Sequence, residues 1–152
     1  MPKPFPLQTV LELMQERADE ATQQLARLIA AEQDAKKKLD MLQEYRDEYA
    51  MRFSEAAKNG LSQLQWKNYQ DFLARLDEAI DSQRKFVAQQ AKNTEEGQKN
   101  WQFHRRKLKA FDTLADRHYS AENAREIKQD QKLQDEFAAR GKSHPQNTQD
   151  KT

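Results

Sequence analysis

The sequence predicts an all-α fold, a long antiparallel two-helix coiled-coil hairpin. Three observations lead there. Of 152 residues, 36% are hydrophobic and 34% charged, too little apolar surface for a sizeable globular core. Apolar residues recur in alternating steps of four and three along two long stretches, the period of a coiled-coil seam. A single glycine-containing break separates these stretches.

Pro2, Pro4 and Pro6 oppose helix at the start, so residues 1–6 read as an N-terminal extension. The ordered hairpin is expected over 7–140, where Gly and Pro are nearly absent and Ala, Leu, Glu, Lys, Gln and Arg dominate. The first seam runs from Leu7 and Leu11 through Met14, Ala18, Ala21, Leu25, Leu28, Glu32, Ala35, Leu39, Leu42, Arg46 and Tyr49 to Phe53 and Ala56. Asn59-Gly60 then stops it, since Gly takes the left-handed conformation that ends a helix. Ser62 with Gln65 three residues later is a capping-box signature, which places the tip near 59–62. So short a connection favours antiparallel packing.

The second seam runs from Trp66, Tyr69, Leu73, Leu76 and Ile80 through Gln83, Val87, Gln90, Thr94 and Gly97 to Trp101, His104, Leu108, Phe111 and Ala115, more polar as it proceeds. A register setting Phe53 against Tyr69 also sets Ala56 against Trp66, Ala21 against Trp101, Leu25 against Gly97 and Glu32 against Gln90. Large residues thus oppose small ones and polar oppose polar. One chain satisfies its own seam, so a monomer is expected. A first helix of about 50 residues would make a rod on the order of 75 Å long. Leu7 falls near Ala115, leaving about 116–140 as a helical overhang that carries Ile127, Leu133 and Phe137. Pro145 and its polar neighbours predict a disordered tail over 141–152.

Several function classes recede on composition. The formal net charge is +1 with both signs interspersed, so no strong field gathers nucleic acid or a membrane surface. There is no cysteine, hence no thiol chemistry or disulfide framework. No apolar run approaches the length of a membrane span and no signal-peptide core opens the chain, so a cytoplasmic protein is expected. The three glycines lie far apart and form no phosphate loop, and no catalytic residues assemble, so neither an enzyme nor a bound cofactor is expected. His118 and Glu122 share a helix face but lack a third metal ligand. The basic run His104-Arg105-Arg106-Lys107, with Lys109, reads as a solvated face or a site for an acidic protein rather than a nucleic-acid surface.

More informative residues flank the seam. Tyr45, Phe72, Ala79 and Phe86 occupy g positions, which face one another in an antiparallel pair, and are bordered by Leu42, Tyr49 and Leu76. The opposite flank carries Gln43, Gln70, Asp77 and Arg84. The aromatic flank is either a widened seam or an exposed protein-binding strip.

With these residues placed, the sequence resembles the flagellar export protein family FliJ. The resemblance rests on Met41-Leu42, Tyr45, Glu48-Tyr49, Asn59-Gly60, Trp66, Asn68-Tyr69-Gln70, Phe72, Leu76 and Ala79-Ile80. It resumes at Trp101, Leu108, Asp130-Gln131-Lys132, Asp135-Glu136-Phe137 and Arg140. It implies a component of the flagellar type III export apparatus, peripherally associated with the inner membrane. The implied partners are the hexameric export ATPase, bound like the central stalk of a rotary ATPase, the cytoplasmic part of the export gate, and export chaperones. Leu42, Tyr45, Tyr49, Phe72, Leu76 and Ala79 correspond to the family's gate-facing surface, with Gln83 in the same stretch. Ile127, Leu133 and Phe137 are the candidate ATPase-docking residues. The alternative from a different class is a structural coiled-coil spacer or oligomerisation module without ATPase coupling.

Overall fold

The computed structural model describes residues 3–142, and the described residues are two long helices joined by a tight turn, with no strand. Helix α1 spans Gln8–Lys58 and helix α2 spans Gln63–Lys142. Neither contains proline, α1 contains no glycine, and both are built from strong helix formers. The connection forms as the sequence predicts. Gly60 takes φ of 90° and its N–H donates to Ala57 O at 3.3 Å, which ends α1. Ser62 Oγ accepts from Gln65 N–H at 3.2 Å while Gln65 Oε1 accepts from Ser62 N–H at 3.1 Å, a closed capping box.

The chain divides into two units, Arg17–Arg105 and a second made of residues up to Glu16 with those from Arg106 onward. The first is an antiparallel helical hairpin, and its tip half is zipped by rings. Trp66 packs on Phe53 (4.8 Å between centroids), Phe53 on Tyr69 (5.2 Å), Tyr69 on Tyr49 (5.3 Å) and Tyr49 on Phe72 (4.4 Å). Tilted and edge-on ring pairs of this kind are each worth about 0.5–1.5 kcal/mol beyond area burial. Leu76 and Ile80 complete the buried tip layers. Trp66 packs on Phe53 beside the turn and stays 43% exposed.

Farther from the tip the seam is polar, and α2 ties itself to α1 through side chains. Gln83 Nε2 donates to Ala35 O at 3.0 Å. The Thr94 hydroxyl lies 3.0 Å from Gln90 O and 3.3 Å from Leu28 O. Trp101 Nε1 donates to Thr22 Oγ1 at 2.9 Å, beside buried Ala21. A Leu28 methyl occupies the space a side chain at Gly97 would need, with Leu25 close by. Glu32, expected against Gln90, engages the Thr94 hydroxyl and, at 3.3 Å, Lys36. A hydroxyl donor and a cation suit a carboxylate better than an amide would.

In the second unit, Met14, Leu108 and Ala115 are buried at expected seam positions. Cover over α2 then continues past Ala115, where the sequence would begin the overhang. Phe5 is buried, its ring 5.5 Å from that of His118, and His118 Nε2 lies 2.9 Å from Lys3 O. Gln8 N–H donates to Phe5 O at 3.1 Å. The prolines keep this segment out of the helix, yet its one aromatic ring takes the next seam place. Glu122 is also buried and pairs with Arg125 at 3.2 Å. From Ile127 through Gly141 every residue is exposed, and α2 continues to Lys142. The rest of the tail expected over 141–152 lies outside the described residues. Among the described residues no helix is long and apolar enough to cross a membrane.

Candidate functional site

Heptad position dictates two unlike flanks on the hairpin unit, since g and c residues line one side of each helix and e and b the other. On the g side, Tyr45 is 45% exposed and its ring meets Phe72 edge-on at 6.1 Å and Tyr49 at 6.5 Å. Leu42, Tyr49 and Phe72 are half-buried, Ala79 is exposed, and Leu76 is buried in the seam. Of the six candidate gate-facing residues, Tyr45 and Ala79 are therefore the most accessible, and Leu76 supports the surface from beneath.

An apolar groove of about 470 Å³ opens beside Tyr45, lined by Lys38, Met41, Leu42, Tyr45 and Gln83. Met41 is 67% exposed. It is a c residue, adjacent to g on the helix wheel, a position that heptad periodicity assigns to solvent. Gln83 is anchored through its amide to Ala35 O, which turns its methylenes into groove wall. Phe86, also exposed, lies farther along the same flank. The e side is charged. Arg46, a seam residue by number, reaches outward to Asp77 at 3.0 Å, and together with Gln43, Asp47, Asp81 and Arg84 they line a polar groove of about 580 Å³.

Electrostatics sharpen the contrast. Burial pushes the Tyr49 phenol above the ordinary tyrosine range, and the neighbouring Tyr69 and Tyr45 add to it, so this phenol is neutral at physiological pH. The Thr94 hydroxyl holds the Glu32 carboxyl below the ordinary glutamate range; partial burial opposes this, and Lys36 helps it.

In the second unit Ile127, Leu133 and Phe137 are 51%, 63% and 80% exposed on α2, with a shallow groove between Gln129, Lys132, Leu133 and Glu136. His118 Nε2 lies against Lys3 O, and Glu122 pairs with Arg125. Within the basic run, Arg105 stacks over the Trp101 ring at 5.7 Å.

The family model described as Flagellar FliJ protein matches residues 2–147. The chain belongs to the flagellar FliJ protein family. It is 33% identical to the flagellar FliJ protein of Salmonella typhi over 134 residues, covering 88% of this chain and 91% of that protein. It is 30% identical to its counterpart in Escherichia coli strain K12 over the same length and shares. A solved structure from Chlamydia trachomatis, described as that of a YscO homolog, shares the fold with a TM-score of 0.66 at 16% identity, over 90% of this chain and 93% of that one. Membership of the FliJ family assigns the chain to flagellum biogenesis and flagellar protein export.

Proposed function

We infer that this FliJ family chain couples the hexameric flagellar export ATPase to the cytoplasmic part of the export gate. The observation that carries this reading is the unlike pair of flanks: an isolated hairpin that served only as a spacer has no use for an apolar groove and an exposed tyrosine on one side only. The gate engages the g flank, with Tyr45 and Met41 as accessible anchors, Leu42, Tyr49, Phe72 and Ala79 around them, and Leu76 as support. The ATPase engages the exposed residues of α2 beyond Glu122, Ile127, Leu133 and Phe137, in the manner of a rotary stalk. Empty export chaperones are escorted by the same protein. It acts in the cytoplasm at the inner membrane, held there through the export apparatus rather than by a span of its own.

The test is a binding titration with the purified cytoplasmic part of the gate. Substituting Tyr45 and Met41 together by Ser should weaken binding at least about tenfold, or about 1.4 kcal/mol. Asp77→Asn on the charged flank should not. Equal binding by all three folded proteins would return the chain to the class of coiled-coil spacers.

A further inference from the structure

The layers of the hairpin unit differ in what water can replace. Ring contacts from Tyr45 to Trp66 have no substitute in solvent. Between Thr22–Ala35 on α1 and Gln83–His104 on α2, however, the packing of Leu28 and Leu25 beside Gly97 is joined by cross-helix hydrogen bonds: Gln83 to Ala35 O, the Thr94 hydroxyl near Leu28 O, and Trp101 to Thr22. Water can take over each of these.

Four further features lower the cost of separation there. Buried His104 Nδ1 has no hydrogen-bond partner, so the closed hairpin holds a polar atom that water would satisfy. The single Thr94 hydroxyl proton has three acceptors within reach, Leu28 O, Gln90 O and the Glu32 carboxylate, and can serve them only in turn. Gly97 sits in the middle of α2, where it weakens the helix and contributes no side chain of its own to the seam. On α1 the one fully buried residue of this segment is Ala35, a small side chain, while Leu25 and Leu28 are half-buried.

We propose that the hairpin unit contains a built-in opening segment, in which Thr22–Ala35 and Gln83–His104 separate and reclose together while the aromatic tip remains paired. Opening of this segment is a sub-global event, and it lets the tip be presented to a partner without unzipping the rings. The inference rests on the seam alone and holds whichever partner binds the flank.

Hydrogen exchange on the full chain under native conditions is the first test. Amides in both segments should be protected at least about tenfold less than those flanking the ring cluster. Replacing Thr94 and His104 by Leu should raise protection in both segments and leave the tip nearly unchanged. Uniform protection along the unit, or an equal rise everywhere in the variant, overturns the proposal.

The second test keeps Thr94 and His104. The chain lacks cysteine, so Ala35→Cys introduces a single thiol at a position 1% exposed. Its reaction with a thiol reagent should proceed through an opening that depends only weakly on low denaturant, as sub-global openings do. A labelling rate that rises with denaturant as steeply as global unfolding refutes the opening segment even if the Leu variant does not fold.

Discussion

Phe72 shows how a single side chain can border a seam by its number and yet belong to it by contact. Its g position suggests a ring that could be removed without cost, but the ring lies 4.4 Å from Tyr49 and 6.1 Å from Tyr45 and is half-buried. Phe72→Ala should therefore destabilise the chain by about 1–3 kcal/mol, below the full cost of a buried aromatic. Tyr45→Ala removes a more exposed ring and should cost under about 1 kcal/mol of stability while weakening gate binding by about 1–2 kcal/mol. Denaturant melts paired with titrations of both variants separate the roles, and a Phe72→Ala protein as stable as the parent would show that the cluster is not cohesive. Tyr49, at the centre of the cluster, gives a pH signature. Its folded-state value is raised by burial and by Tyr69 and Tyr45, so its contribution is complete below the ordinary tyrosine value of about 10 and is lost as pH rises through the raised one. Thermal melts between about pH 9 and 12 should show stability falling with pH, and Tyr49→Phe should fall less steeply. Equal slopes would mean the phenol is no more buried in the folded chain than in the unfolded one.

At the scale of elements, what could be read in advance was whatever the chain states locally. The stop at Gly60, the box between Ser62 and Gln65, and the two helices on either side follow from spacing and backbone preference, and each appears at the expected residues. These features carry measurable energy. Gly60→Ala forces a side chain into positive φ and should cost about 1–2 kcal/mol, and Ser62→Ala about 0.5–2 kcal/mol. Urea melts of the two variants check this, and unchanged midpoints would mean that the turn forms under the pull of the helices alone. The seam register, too, was legible: Phe53 meets Tyr69, and Leu25 lies beside Gly97, a large residue against a small one. What periodicity could not give was the behaviour of residues whose partners lie off the seam. Arg46 occupies a seam number but is long enough to leave it for Asp77. Met41 reaches the surface groove from a position the heptad treats as solvent. Phe5, ahead of the helix and between prolines, still covers His118, since burial of a ring requires only proximity and not helical phase.

At the scale of the whole molecule, the question is whether one chain carries two separable binding functions, as coupling an ATPase to a gate would require. The residues proposed for the two roles lie in different units, Tyr45 and its neighbours in Arg17–Arg105 and Ile127, Leu133 and Phe137 in the other. The latter three expose half or more of their surface, up to 80% at Phe137, so their apolar atoms contribute little to folding. Large exposed side chains on a helix face are more economically explained by a partner than by the fold. Replacing all three by Ser should leave the melting temperature within a few degrees, since exposed substitutions rarely change stability by more than about 0.5 kcal/mol each. The same variant should lose stimulation of the export ATPase while binding the gate with the affinity of the parent. Tyr45→Ala should do the reverse, weakening the gate and sparing the ATPase. ATPase assays and gate titrations on the two variants form a crossed design, and each result has a distinct meaning. Loss of both activities in both variants would point to a single shared surface. Retention of ATPase stimulation in the triple Ser variant would remove Ile127, Leu133 and Phe137 from the docking site and require that the ATPase be met elsewhere on the chain. Only the crossed pattern, one activity lost per variant, is what a coupling protein with two independent contacts produces.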